Sequence, residues 1–336
     1  MDHRALGRSG LVVSAVGIGC NAFGSRVEQA TVDRIVGTAL ELGVNFFDTA
    51  DTYTRGTSEE MLGRALRTRR DDVVLATKFG MDADGLNGPD HGARGSRRYV
   101  RRAVEGSLRR LGTDHVDLYQ LHQPDRVTPI EETLAALGEL VAEGKVRYVG
   151  CSNFAAWEVA HAHHVARDLG VPGFVSAQNE YSLYNRLAEQ ELLPACRALG
   201  LGVLPYFPLA YGLLTGKYRR GEPAPDGSRL AHRGQEHRLE GADFDRVDAL
   251  SRFAESRDVD LLTLAIGGLA AQPGVGSVIA GVSKPEQVES NVAAAAWQPT
   301  AEDLAELAEI NRDPLPGMSY CSYAPEVEQE RARRRG

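Results

Sequence analysis

Short apolar runs, rich in β-branched and aromatic side chains, recur along the chain between longer stretches of helical spacing. Eight of them predict strands, at residues 13–19, 44–50, 73–79, 116–122, 146–152, 174–180, 202–208 and 276–282. Their starts fall about 37 residues apart on average, and amphipathic patterns fill the intervals, as repeated βα units require. One helix start is spelled out locally. Thr128-Pro-Ile-Glu131 predicts an N-cap, a proline at the first helical position and a capping-box glutamate. Leu134, Leu137, Leu140 and Val141 follow at helical spacing, and Gly144 ends the helix.

Near-continuous apolar strands, each followed by a helix, favour an α/β fold closed into a (β/α)8 barrel over an open doubly wound sheet. The expected organisation is one domain spanning residues 1–336, with a core of about 6–312 and a C-terminal tail at 313–336. Residues 2–11 are expected to form a hairpin closing the barrel bottom. Segment 219–241 is polar and rich in Gly and Pro, which predicts a mobile loop. Segment 80–96, directly after the third strand, holds Gly80, Gly85, Gly88, Gly92 and Gly95, where a barrel places active-site loops. A competing motif is Gly17-Ile-Gly19-Cys-Asn-Ala22, which fits a dinucleotide fingerprint with Asp48 as its acidic residue. Phe-Gly-Ser-Arg follows Ala22, so no helix starts where a pyrophosphate would need its N-terminus.

Composition narrows the classes. The 336 residues carry a net charge of −8 with 43% hydrophobic and 25% charged residues, ordinary for a globular chain. Nucleic-acid binding has no electrostatic support beyond a short arginine-rich end, Arg331 to Arg335, read as solvated. Cys20, Cys151, Cys196 and Cys321 have neither CxxC spacing nor disulfide density, which suits a reducing compartment. No apolar run reaches the roughly 18 residues of a membrane span, and Met1 to Gly10 lacks a signal-peptide core, so a cytoplasmic location is expected. Of the 38 basic residues only Lys78, Lys145, Lys217 and Lys284 are lysines, which draws attention to each.

In a barrel, chemistry sits at the C-terminal strand ends. Asp48, Lys78 and His122 stand at nearly the same height on three adjacent predicted strands, with Tyr53 in the loop above. Singly, each has a structural reading: a turn cap, a core phenol, a surface lysine, a hydrogen-bonded core histidine. Together they form a proton-handling set. Lys78 would need a carboxylate partner after its apolar strand, and Asp48 is next to it. An ammonium beside Tyr53 would bring the phenol toward neutrality, and His122 could orient a carbonyl. A proton donor without a metal-ligand cluster points to reduction of an aldehyde or ketone by an external hydride donor.

These residues sit within motifs whose combination resembles the aldo-keto reductase family. They are Gly43-Val-Asn-Phe-Phe-Asp-Thr-Ala-Asp-Thr-Tyr53, Thr77-Lys78, Leu121-His-Gln-Pro-Asp125, Gly144-Lys-Val-Arg-Tyr-Val-Gly-Cys-Ser-Asn-Phe154, Gln178-Asn-Glu-Tyr-Ser182 and Gly281-Val-Ser-Lys-Pro-Glu-Gln287. The resemblance implies NADPH/NADP+ as cofactor, a small carbonyl substrate, and a catalytic tetrad of Asp48, Tyr53, Lys78 and His122 with Tyr53 as general acid/base. It further implies Ser152, Asn153 and Gln178 at the nicotinamide carboxamide, Tyr206 stacked on the ring, and Gly19, Cys20, Asn21 and Asp48 lining that end. Phe207, Pro208, Leu209, Gly212, Leu214 and Lys217 would follow the pyrophosphate, and Gly281, Ser283, Lys284, Gln287 and Asn291 would surround the adenosine 2′-phosphate. Phe207, Ala280 and Gly267 depart from residues frequent in the family, and Phe207 would remove a hydroxyl contact. The chain also resembles the potassium-channel β subunits, so a cofactor-binding regulatory barrel with slow turnover is the alternative. A metal-dependent hydrolase using His161, His163 and His164 is a third class, but no carboxylate or Cys shares a ligand spacing with them and they read as an exposed helix face. Substrate choice would lie in loops 80–96, 211–241 and 314–325, with Tyr320 and Tyr323 either closing the pocket or packing the tail.

Overall fold

A computed structural model describes residues 1–231, 235–311, 313 and 318–321 of the chain. Two short strands, β1 (His3–Ala5) and β2 (Val12–Ser14), pair antiparallel at His3↔Ser14. Eight parallel strands then close a barrel: β3 (Val16–Gly19), β4 (Phe46–Asp48), β5 (Val74–Phe79), β6 (Val116–Leu121), β7 (Val146–Ser152), β8 (Ser176–Glu180), β9 (Gly202–Tyr206) and β10 (Val278–Gly281). Closure runs through β10, which pairs with β3 from Val278↔Val16 to Gly281↔Gly19 and with β9 at Ile279↔Tyr206. All eight predicted strand regions are present, with one correction. The run at 13–19 is two strands separated at Ala15, so the hairpin takes in residues 13 and 14 that the sequence reading gave to the barrel.

The helices around the barrel include α1 (Gln29–Glu41), α2 (Thr57–Leu66), α3 (Arg97–Leu111), α4 (Ile130–Ala142), α5 (Ala156–Leu169) and α6 (Leu192–Leu199). After β9 come α7 (Glu236–Glu240), α8 (Phe244–Ser256) and α9 (Leu261–Ala270), and α10 (Pro285–Ala294) and α11 (Ala301–Glu309) follow β10. The predicted capping box at α4 does not form. The helix begins one residue later than the motif implies, with Pro129 at the N-cap, and the Thr128 hydroxyl has no partner among the described residues. Gly144 does end it, at φ 76°. Segment 219–241, expected as a loop, contains a 3₁₀ turn at Arg229–Ala231 with Leu230 buried, and then α7. Gly267 has a local reason: a Cβ there would stand 2.7 Å from the Ala294 carbonyl and 3.1 Å from Trp297 Cβ, so Trp297 of the next segment occupies the space.

Strand alternation decides what enters the barrel. The lower interior is an apolar cluster of Leu6, Leu11, Val13, Phe46, Val74, Ala76, Leu118, Leu204 and Ile279. Leu6 comes from the hairpin and plugs the bottom, where Gly202 and Gly276 leave room: a Cβ on either would lie within 2.6 Å of Leu6 Cδ1. One step of two residues up the same strands, Phe46 gives way to Asp48, Ala76 to Lys78, Leu118 to Gln120 and Leu204 to Tyr206. The opposite parity, with Phe47, Leu75, Tyr119 and Leu121, packs outward against the helices. Apolar filling below therefore sets a polar layer on top.

Candidate active site

Lys78 is buried, and its ammonium has three acceptors: Asp48 Oδ2 at 2.6 Å, the Thr49 carbonyl at 2.9 Å and Tyr53 Oη at 3.3 Å. Asp48 uses its other oxygen to accept from Gln120 Nε2 at 3.0 Å and Gln178 Nε2 at 2.9 Å. A buried ion pair stands only when its remaining lone pairs and protons are taken up, and these are. His122 lies beyond Tyr53, with ring centroids 6.0 Å apart and planes at 77°. Its backbone N–H donates to the Phe79 carbonyl at 2.7 Å, its carbonyl accepts from Asn153 Nδ2 at 2.9 Å, and its Nδ1 is buried without a partner among the described residues. The structure thus brings Asp48, Tyr53, Lys78 and His122 together.

The electrostatics correct one expectation. Burial raises the Tyr53 phenol, and although the Lys78 ammonium pulls it down, the net shift is upward, with Asp48 adding to it. The proton therefore stays on Tyr53 at neutral pH, rather than being brought near to leaving. Burial alone would lower Lys78, but Asp48 and Tyr53 together hold it above its ordinary value. Burial, and then Lys78, push His122 well below the imidazole range, so its ring is neutral.

Above this layer opens a cavity of about 610 Å³. Asp48, Tyr53 and His122 line it with Gly19, Asn21, Ser152, Asn153, Gln178, Tyr206, Phe207, Pro208, Leu209, Gly212, Lys217, Gly281, Ser283 and Gln287. Of the other residues singled out, Cys20, Leu214 and Asn291 are buried behind the wall, and Lys284 is exposed as the N-cap residue of α10. Tyr206 Oη donates to Asn153 Oδ1 at 2.7 Å, and Gln287 Oε1 accepts from the Ser283 backbone N–H at 2.7 Å. Asn21 Oδ1 is buried without a partner among the described residues, and a Cβ on Gly281 would stand 3.4 Å from it, so this part of the wall carries an open acceptor.

A model of the family described as "Aldo/keto reductase family" matches residues 15–312. The chain belongs to the aldo/keto reductase family. It is 37% identical over 303 residues to a probable voltage-gated potassium channel subunit beta from Oryza sativa subsp. japonica, covering 88% of this chain and 91% of that protein. It is 38% identical over 302 residues to the uncharacterized oxidoreductase YrpG of Bacillus subtilis (strain 168), with the same shares covered. A probable aldo-keto reductase 1 from Glycine max is 33% identical over 312 residues, 90% of this chain and 87% of that protein.

In this aldo/keto reductase the cavity also draws on residues that sequence reasoning missed. Arg26, Met81, Gln123, Tyr211, Arg229 and Cys321 line it, and Gln120 holds Asp48 from inside the barrel. Gln120 was findable, because it shares the inward parity of Leu118 and His122. Arg229 was not, since it comes from the segment read as a loop; its guanidinium lies 4.8 Å over the Phe207 ring and 5.1 Å over Tyr211. Phe207 thus exchanges a hydroxyl for a stacking face. Among the lysines, Lys145 pairs with Glu105 at 2.7 Å and Glu143 at 3.0 Å on the surface. Of the three α5 histidines His161 and His164 are exposed, and among the described residues no group of three His, Cys, Asp or Glu is placed to hold a metal. Tyr320 packs on the barrel: its carbonyl accepts from Asn179 Nδ2 at 2.7 Å and its hydroxyl accepts from the Ala156 N–H at 3.5 Å. Tyr323 and Arg331 to Arg335 lie outside the described residues.

Proposed function

We propose that the chain reduces an aldehyde or ketone to its alcohol, reversibly, with NADPH as hydride donor and Tyr53 as proton donor. The observation that carries this reading is Lys78 Nζ, buried and in contact with both Asp48 Oδ2 and Tyr53 Oη, which themselves line an open cavity. In a low-dielectric site that ammonium stabilises the phenolate left when Tyr53 gives its proton to a carbonyl oxygen. Asp48, held by Gln120 and Gln178, keeps the ammonium charged and in place. Neutral His122 offers a ring donor that orients the carbonyl toward Tyr53.

The cavity suits a dinucleotide. The unpartnered Asn21 Oδ1 beside Gly281 accepts from a donor, and the carboxamide of a nicotinamide finds amide and hydroxyl partners in Ser152 and Asn153. Arg26, Lys217 and Arg229 on its walls favour a polyanion, and Lys284 at the start of α10 favours a 2′-phosphate, hence NADPH over NADH. When bound, the cofactor supplies the hydride. Burial of the Cys20, Cys151 and Cys196 thiols accords with a cytoplasmic protein.

A second reading, a cofactor-binding regulatory barrel with slow turnover, draws on the rice relative named as a channel β subunit. A panel of aldehydes and ketones, followed by loss of NADPH absorbance, separates the two. The enzyme reading expects at least one substrate with turnover in the ordinary enzyme range, roughly 1 s⁻¹ or faster. Uniformly slower turnover across the panel favours the regulatory reading.

A further inference from the structure

Tyr53 is presented by an unusual piece of backbone. The next three residues are all left-handed: Thr54 at φ 49°, Arg55 at φ 51° and Gly56 at φ 86°. Two of them are not glycine, so the surroundings must hold a conformation the chain disfavours. Thr54 Oγ1 donates to the Phe23 carbonyl at 3.1 Å on one side. On the other, the loop after β5 reaches across. Asn87 Nδ2 donates to Asp51 Oδ2 at 2.7 Å, both residues being buried. A Cβ on Gly56 would meet Arg110 Cδ of α3 at 2.5 Å and Leu86 of the same loop at 3.2 Å, so α3 and the loop together close on the end of the turn.

We propose that Asn87 and Asp51 form a brace that holds this left-handed turn and so positions the Tyr53 hydroxyl, making Asn87 a positioning residue supplied by the neighbouring loop. The inference rests on Tyr53 being the proton donor. Asp51 faces Glu59 from α2, Arg110 and Tyr99 from α3, Tyr119 from β6, and Asn87. Burial, and then the Glu59 carboxylate, push Asp51 up to about 7, while Asn87 and Arg110 pull the other way. The brace thus changes charge near neutrality, and the bond from Asn87 tightens as the proton leaves.

Asn87→Ala is expected to lower kcat between about 10- and 100-fold, with KM for the carbonyl and Kd for NADPH changed less than about twofold, since misplacement of a reacting group is felt in the chemical step. The exchanged pair Asp51→Asn with Asn87→Asp keeps one donor facing one acceptor and should recover kcat to within about threefold of the parent. The parent's kcat should rise with pH through about 7, and Asp51→Asn should flatten that rise. Wild-type kcat in Asn87→Ala, or an exchanged pair no better than the worse single variant, overturns the brace. Asn87→Ser, too short to reach Asp51, replaces Asn87→Ala if that variant does not fold. Amide exchange at residues 54–56 needs no substrate: faster exchange in the variant supports the brace, and unchanged exchange overturns it. If the parent reduces no carbonyl, the reductase reading fails, and the exchange measurement still decides the brace.

Discussion

Two buried charge clusters lie on opposite sides of one barrel wall, only three residues apart in sequence at Asp48 and Asp51. Inside the barrel, one carboxylate meets one ammonium, and both Asp48 oxygens and the Lys78 protons have partners. Between the wall and the helices, two carboxylates share one guanidinium. Glu59 accepts from Arg110 Nε at 2.6 Å and from Thr77 Oγ1 at 2.6 Å, while Asp51 Oδ2 accepts from Asn87 and Asp51 Oδ1 has no hydrogen-bond partner among the described residues. The balanced cluster keeps a fixed charge where a proton must be managed. The unbalanced one holds a carboxyl that titrates near neutrality. At Asp51 the neighbouring Glu59 carboxylate adds to the effect of burial, and Asn87 and Arg110 offset only part of it.

Lys78 is where the comparison breaks most sharply. Lys78→Met leaves Asp48 buried without a cation, which should cost about 3–5 kcal/mol in denaturant unfolding and lower turnover by 10³-fold or more on the scale of losing charge stabilisation in a closed site. Lys78→Arg restores the charge but not the shape, and should remain nearly silent in kcat, because a guanidinium is larger and cannot sit among the same three acceptors.

The outer cluster is tested by stability against pH. The Asp51 pKa is raised from 3.8 to about 7 on folding, so its contribution is fully present below about pH 4 and is lost as pH rises through about 7. Wild-type minus Asp51→Asn unfolding free energy should therefore fall by roughly 4 kcal/mol across that window and be flat above it. A difference independent of pH would mean that Asp51 is ionised like an ordinary carboxylate.

Lys284 sharpens the contrast from the solvent side. It is exposed and has no carboxylate partner among the described residues, so Lys284→Arg should keep most activity with NADPH, whereas Lys284→Met should raise KM for NADPH several-fold, as loss of one charge-assisted phosphate contact implies. Equal tolerance of Arg at 78 and 284 would remove the distinction between a buried and a surface lysine.

Much of the inner cluster was legible in the sequence. Period-two alternation places Asp48 and Lys78 on the inward face above Phe46 and Ala76, and the apolar runs locate the strands that carry them. The division at Ala15 was hidden because β2 and β3 follow one another with no turn residue between them, and only pairing distinguishes them. The Thr128 motif misled because the helix starts one residue further on, with Pro129 itself at the N-cap. The direction of the Tyr53 shift was hidden for another reason: a neighbouring ammonium can be read from strand ends, but the depth of burial opposing it cannot. The outer cluster depends on Asn87, Arg110 and Glu59 from three separate segments, which no spacing brings together.

Tyr53→Phe tests the central claim most directly. The variant keeps the ring and loses only the hydroxyl that Lys78 contacts at 3.3 Å. Carbonyl reduction should fall by 10³-fold or more while NADPH binding, read by fluorescence titration, stays within about twofold, as expected when an interaction made only in the transition state is removed. Turnover near that of the parent, with NADPH bound normally, would contradict Tyr53 as the proton donor.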